Sequence, residues 1–278
     1  MIDKLILYFT AFPTVRYATL SLLLIALCAS LLGVTLVLKR FSMIGDGLSH
    51  VTFGATAVAT VLGLTMPIYL TLPLTVIAAV LLLRIRQNTK VQGDAAIAMV
   101  SAGSLAFGYL LLNLFPANSS VSADACASLF GSGILGIGLD DVIVCSILAA
   151  AVLFVFIFFY NRIFAITFDE SFASATGTRV GFYNTLVAII TGVIIVVAMN
   201  MIGALLVSAL ITFPALSAMR LFKTFKKVTV FAACVSTACA LIGILASLVL
   251  STPVGPTIVV ADLAAFGICS AISAIKKG

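Results

Sequence analysis

Residues 142–160 read VIVCSILAAAVLFVFIFFY, and no charged side chain interrupts them. A helix rises about 1.5 Å per residue and the hydrocarbon core of a bilayer is roughly 30 Å thick, so a run of this length and composition predicts a transmembrane helix. Comparable runs lie at about 17–38, 43–64, 67–83, 95–115, 184–200, 202–220, 228–250 and 256–275. The sixth and seventh of these nine are short and separated only by NMIG, which leaves open a single broken helix and a total of eight. Composition agrees along the whole chain: of 278 residues 63% are hydrophobic and 9% charged, and the mean hydropathy is +1.32. Soluble domains do not have this balance. Long apolar runs favour a helical bundle over a barrel, whose strands are short and alternating. The expected fold is therefore all-α: a polytopic helical membrane protein of eight or nine spans, one transmembrane domain over 1–278. Residues 1–16 form an expected interfacial segment, because Pro13 and Arg16 interrupt the chain before its first long run and no cleavable leader pattern is present.

The formal charge of +6 comes from short basic clusters at the ends of these runs. Lys39 with Arg40, Arg84 with Arg86, Arg162, Arg179, the group Arg220 to Lys227, and Lys276 with Lys277 all fall on one side of the map. By the positive-inside rule that side is the cytoplasm, which puts the N-terminus outside and the C-terminus inside. The charge thus reads as a topology signal, not as a nucleic-acid surface. The six cysteines are scattered without metal-type spacing and read as small core residues.

Two connections are too long to be turns. The outer one, about 116–141, lacks Lys and Arg and has an apolar middle suited to a helix at the external surface; its Asp124, Asp140 and Asp141 read as solvated. The inner one, about 161–183, reads NRIFAITFDESFASATGTRVGFY. Asp169 and Glu170 at the front and Gly177 at the back predict a short helix with an acidic start and a glycine stop. A cytoplasmic helix of that kind is a docking element.

Chemistry concentrates in FSMIGDGLSH, residues 41–50, which holds the only histidine of the chain. Asp46 and His50 stand at i and i+4, so a helix brings them to one face. A carboxylate at the bilayer centre costs about 2.5–3.5 kcal/mol on insertion scales and so faces a cavity, a partner group or an ion. Carboxylate oxygen with imidazole nitrogen suits a divalent transition metal, yet the two residues alone are half a coordination shell, and spacing by itself favours a structural Asp–His pair. Gly45 and Ser49 beside them are candidates to line a path, and the small residues from Gly45 to Ala59 allow close helix approach. Asp262, within an apolar run, either lines a polar passage or accepts a hydrogen bond from a neighbouring helix. The chain has no phosphate-binding loop, no nucleophile elbow and no HExxH, so it is read as non-enzymatic.

Five segments in order resemble one family. SMIGDGLSHVTFGATAVA (42–59), ADACASLFGSGILGI (123–137), TFDESFASATGTRVGFYN (167–184), GALLVSALITFPALSAMRLF (203–222) and TPVGPTIVVADLAAF (252–266) are similar to the motifs of the permease subunits of bacterial ABC importers for manganese, zinc and iron. The resemblance covers nearly the whole chain and implies a type II importer-like permease in the bacterial plasma membrane. It implies two permease copies, two copies of a separate ATPase and an extracellular metal-binding lipoprotein, with no resident cofactor and ATP used only by the partner. Asp46 and His50 match the family's metal-contacting pair, and Asp169 to Gly177 its coupling helix, with Phe172 and Ala173 as contacts to the ATPase. The chain departs from the family pattern after Pro214, where Leu216 is bulkier, and it has no histidine near IAMVSAGS (97–104), which leans towards manganese over zinc. The rival expectations are a gradient-driven transporter or channel, for which no internal repeat is visible, and a membrane scaffold in which the pair is only structural.

Overall fold

The computed structural model describes residues 12–64, 66–85, 93–115 and 137–276. Among these residues every regular element is a helix, as expected where backbone polar groups have no water to bond and must be satisfied within one segment. In chain order they are α1 (Pro13–Leu38), α2 (Ile44–Val61), α3 (Ile68–Ile85), α4 (Gly93–Leu114), α5 (Leu139–Phe158), α6 (Tyr160–Phe168), α7 (Glu170–Ala175), α8 (Val180–Ile202), α9 (Ala204–Leu221), α10 (Phe225–Leu250) and α11 (Val254–Ile275). The expected interfacial segment 1–16 and the outer connection 116–141 fall mostly outside the described residues.

All nine apolar runs are helical, but by length and composition alone seven of the described helices qualify as spans, against the eight or nine expected. The described helices long and apolar enough to cross a membrane are α1, α4, α5, α8, α9, α10 and α11. The polar side chains of α2, among them Asp46, Ser49, His50 and Thr52, dilute its hydropathy, and the apolar part of α3 (Ile68–Arg84) is short. The break between the sixth and seventh runs is a single residue, Gly203, at φ 85° and ψ 158°. Only glycine enters that backbone region readily. The chain therefore turns there without a loop.

The core is built around α1, which is apolar all round and mostly buried among α5, α9 and α10. Leu22, Leu32 and Leu36 of α1 are at most 2% exposed, in one cluster with Ile194 and Ile195 of α8 and Leu210 and Ile211 of α9. Helices apolar on every side are either central, like α1, or face lipid, like α5 with its exposed Ile147, Phe154 and Ile157. The small residues of α2 have the expected use. A Cβ on Gly54 would come within 2.8 Å of the Ser104 carbonyl oxygen on α4, so these backbones touch.

Two connections differ from expectation. Asp140 and Asp141 belong to the first turn of α5, not to a solvated loop, and the Asp141 carboxylate accepts a hydrogen bond from the Gly138 backbone N–H at 2.9 Å. The inner connection is helical before the short element expected in it. After a break at Phe159, α6 buries Ile163, Ile166 and Thr167 on one face. Its Tyr160, Phe164 and Phe168 rings cluster on Phe225 at the start of α10, with centroids 5.5, 5.4 and 6.1 Å away.

Candidate metal site and its coupling segment

The site begins at the corner between α1 and α2. Two bonds close the end of α1, Arg40 N–H to the Val37 carbonyl at 3.0 Å and Phe41 N–H to the Leu36 carbonyl at 2.9 Å. This is the Schellman pattern, with Arg40 in the left-handed position at φ 63°, where glycine is usual. A side chain in that conformation costs on the order of 1–2 kcal/mol. Burial of Phe41, 2% exposed, holds the strained turn in place.

Beyond the corner, Thr212 of α9 donates to the Ser42 carbonyl at 3.3 Å, and a Cβ on Gly45 would lie 3.3 Å from the Ser208 backbone. Thr212 is the ninth and Ser208 the fifth of the eighteen residues of α9 (Ala204–Leu221). The start of α2 therefore packs along the N-terminal half of α9. Asp46 lies between Gly45, packed on α9, and Gly47, packed on Ile97 of α4. Its side chain is 45% exposed and that of His50 is 19% exposed.

The two side chains meet as their spacing predicts, with His50 Nε2 3.4 Å from Asp46 Oδ1. His50 Nδ1 is buried and has no hydrogen-bond partner. An orphaned imidazole nitrogen beside a half-exposed carboxylate is a donor set with capacity left over, since buried polar atoms are otherwise nearly always paired. Among the described residues no group of three or more His, Cys, Asp or Glu converges on one point. Among the described residues the candidate ligands here are thus Asp46 and His50 alone.

The other candidate lining residues divide. Gly45 is buried against α9, and the Ser49 hydroxyl is already donated to the Gly45 carbonyl at 2.8 Å, so Ser49 supports the turn that carries the pair. Asp262 is 1% exposed and both its carboxylate oxygens lack partners. Its polar neighbour is Cys239 of α10, so it sits at the α10–α11 interface, while Asp46 and His50 sit among α2, α4 and α9.

In the inner connection, Asp169 caps α7, its carboxylate accepting from the Phe172 N–H at 2.9 Å. Gly177, at φ 80°, ends the element, with Thr178 N–H bonded to the Ala173 carbonyl at 3.0 Å. Phe172 is 64% exposed, whereas Ala173, expected beside it as a docking contact, is fully buried and has no surface to offer one. Glu170 turns inward to Lys39 Nζ at 3.0 Å. Lys39 also donates to Asn184 Oδ1 of α8 at 2.6 Å, and Asn184 Nδ2 donates to Glu170 Oε1 at 3.1 Å. Sequence reasoning assigned Lys39 to topology and passed over Asn184. A basic residue at the end of a span gives the same signal whether it faces water or a buried carboxylate.

Comparison with known proteins bears on this arrangement. The family described as the ABC 3 transport family matches residues 11–273. An uncharacterised membrane protein of Cyanophora paradoxa, from the ycf23–apcF intergenic region, is 31% identical, over 85% of this chain and 78% of its own. The manganese import system permease protein ScaB of Streptococcus gordonii is 25% identical, over 96% of this chain and 94% of its own. Among solved structures, PsaBC from Streptococcus pneumoniae in complex with Fab superposes with a TM-score of 0.82 at 25% identity. That match covers 97% of this chain and 95% of the other.

Proposed function

The chain belongs to the ABC 3 transport family, and from that premise we propose that it is the permease subunit of an ATP-driven importer for a divalent transition metal. Asp46 and His50 are then its half of an ion site inside the membrane. The observation that carries this reading is the pair itself: a half-exposed carboxylate and an imidazole with an unused nitrogen, at the start of the helix packed on α9. Family membership favours this function over a gradient-driven transporter or channel.

A second copy of the chain, related by a two-fold axis, would raise the set to two carboxylates and two imidazoles. Oxygen and imidazole nitrogen in that number suit manganese or zinc. Relatives of similar identity carry names for manganese, iron and zinc, so the cargo is assigned by the uptake test below. The metal is cargo, bound in transit. In this reading the basic ends of the helices are cytoplasmic, the N-terminus is outside and the C-terminus inside. An extracellular metal-binding lipoprotein delivers the ion, and two copies of a separate ATPase engage α7, where Phe172 makes contact and Asp169, Ala173 and Gly177 hold the element in shape. Closure of the ATPase pair on ATP shifts the bundle between outward-open and inward-open states.

The test is uptake of radioactive manganese and zinc by cells carrying the whole transporter, at matched membrane abundance. Asp46→Asn and His50→Ala are each expected to lower uptake of the transported metal at least tenfold, and the isotope lost names the cargo. Unchanged uptake of both metals in both variants would reduce the pair to helix packing.

A further inference from the structure

The strained corner that carries α2 is tied directly to the docking element. Lys39 is the residue at the very end of α1, immediately before left-handed Arg40 and buried Phe41, and it is only 7% exposed. Its ammonium group holds the Glu170 carboxylate of α7 and the Asn184 amide oxygen of α8, while the Asn184 amide N–H closes the triangle on Glu170. Three elements distant in sequence therefore share one charged, mostly buried contact. Beneath it lies a cavity of about 230 Å³ walled by Lys39, Phe41, Thr167, Glu170 and Asn184. A packed core transmits a push without yielding, but a junction that must shift needs space beside it. Here the space adjoins the junction.

We propose that Lys39, gripped by Glu170 and Asn184, is the latch through which movement of α7 reaches the ion pair. The inference rests on the reading that α7 docks the ATPase. Displacement of α7 carries Glu170, and Lys39 follows because pulling apart an ion pair whose ammonium group is buried is strongly disfavoured. Lys39 pulls on a corner with little freedom, fixed by two backbone bonds and by Phe41. The first turn of α2 moves as a unit, so that Gly45, packed on Ser208 and Ile211 of α9, shifts along that helix and takes the adjacent Asp46 with it. Lys39 and Asn184 are positioning residues in this scheme. They act on the metal only through the corner.

The experiment uses the complete transporter, with its ATPase and binding protein, in proteoliposomes, and reads three quantities: retention of the ATPase, hydrolysis of ATP, and metal ions imported per ATP hydrolysed. Lys39→Met and Asn184→Leu are expected to keep the ATPase bound and hydrolysing while ions per ATP fall at least tenfold. The double variant is expected to fall no further than the worse single one, because both act through one contact. Lys39→Arg, which keeps the charge and both donors, is expected to stay within about threefold of the native ratio. If Lys39→Met does not accumulate in the membrane, Asn184→Leu carries the same comparison. A native ratio in Asn184→Leu, or an equal loss in Lys39→Arg and Lys39→Met, overturns the latch. Failure of the underlying reading shows elsewhere: Phe172→Ala would then leave ATPase retention and hydrolysis at native levels, whatever the latch variants do.

Discussion

Gly54 shows how little room this bundle leaves at a single position. The Ser104 carbonyl oxygen that a new Cβ would strike belongs to backbone, so no side-chain rotation relieves the contact and the helices must separate. Overpacking of this kind costs roughly 1–3 kcal/mol. Gly54→Ala is expected to lower the midpoint of thermal unfolding in detergent, whereas Gly103→Ala on α4, where nothing lies within 4 Å of the new carbon, is expected to leave it unchanged. At this scale the sequence was legible in part. Asp46 and His50 could be paired from their spacing, because helical geometry alone sets which residues face one another at i and i+4. The partners of Lys39 were not legible, because Glu170 and Asn184 reach it only after three helices have packed.

Among the elements, α7 is the one most exposed to a local test. Six residues are too few to hold a helix by propensity, so its ends do much of the work: the Asp169 carboxylate at one, Gly177 at the other. Loss of such a cap costs about 1 kcal/mol. Asp169→Ala is expected to speed amide hydrogen exchange across residues 170–175, with little change in the buried turns of α8. This helix was readable in advance because its stop and start signals are local. Its predecessor α6 was not, because what holds α6 is an aromatic cluster with Phe225, whose position depends on α10. The count of seven helices that qualify as spans by composition has a similar origin. In α2 the polar groups at and around the candidate site make it too polar to qualify.

For the whole molecule, the contacts of the inner connection constrain which ends lie together. Lys39, Glu170 and Asn184 meet at one end of the bundle, and Phe225 joins α6 there. The connection at Leu62, after α2, lies a full helix away from the Lys39 corner. In a chain stripped of its own cysteines, Lys223→Cys is expected to react with a membrane-impermeant maleimide only after the cells are opened. Leu62→Cys is expected to react in intact cells. Labelling of Lys223→Cys from outside would reverse the orientation.

Sequence alone determined the class of this protein, its long apolar helices and the facing of Asp46 and His50, since long apolar runs have one backbone solution in lipid and i, i+4 spacing one geometry. Tertiary structure decided the packing of the start of α2 on α9, the strain at Arg40 and the link from buried Lys39 to Glu170 and Asn184. These depend on which helices touch. In a bundle where nearly every face is apolar, hydrophobic pattern cannot choose neighbours, so close backbone contacts and a few buried polar groups make the choice.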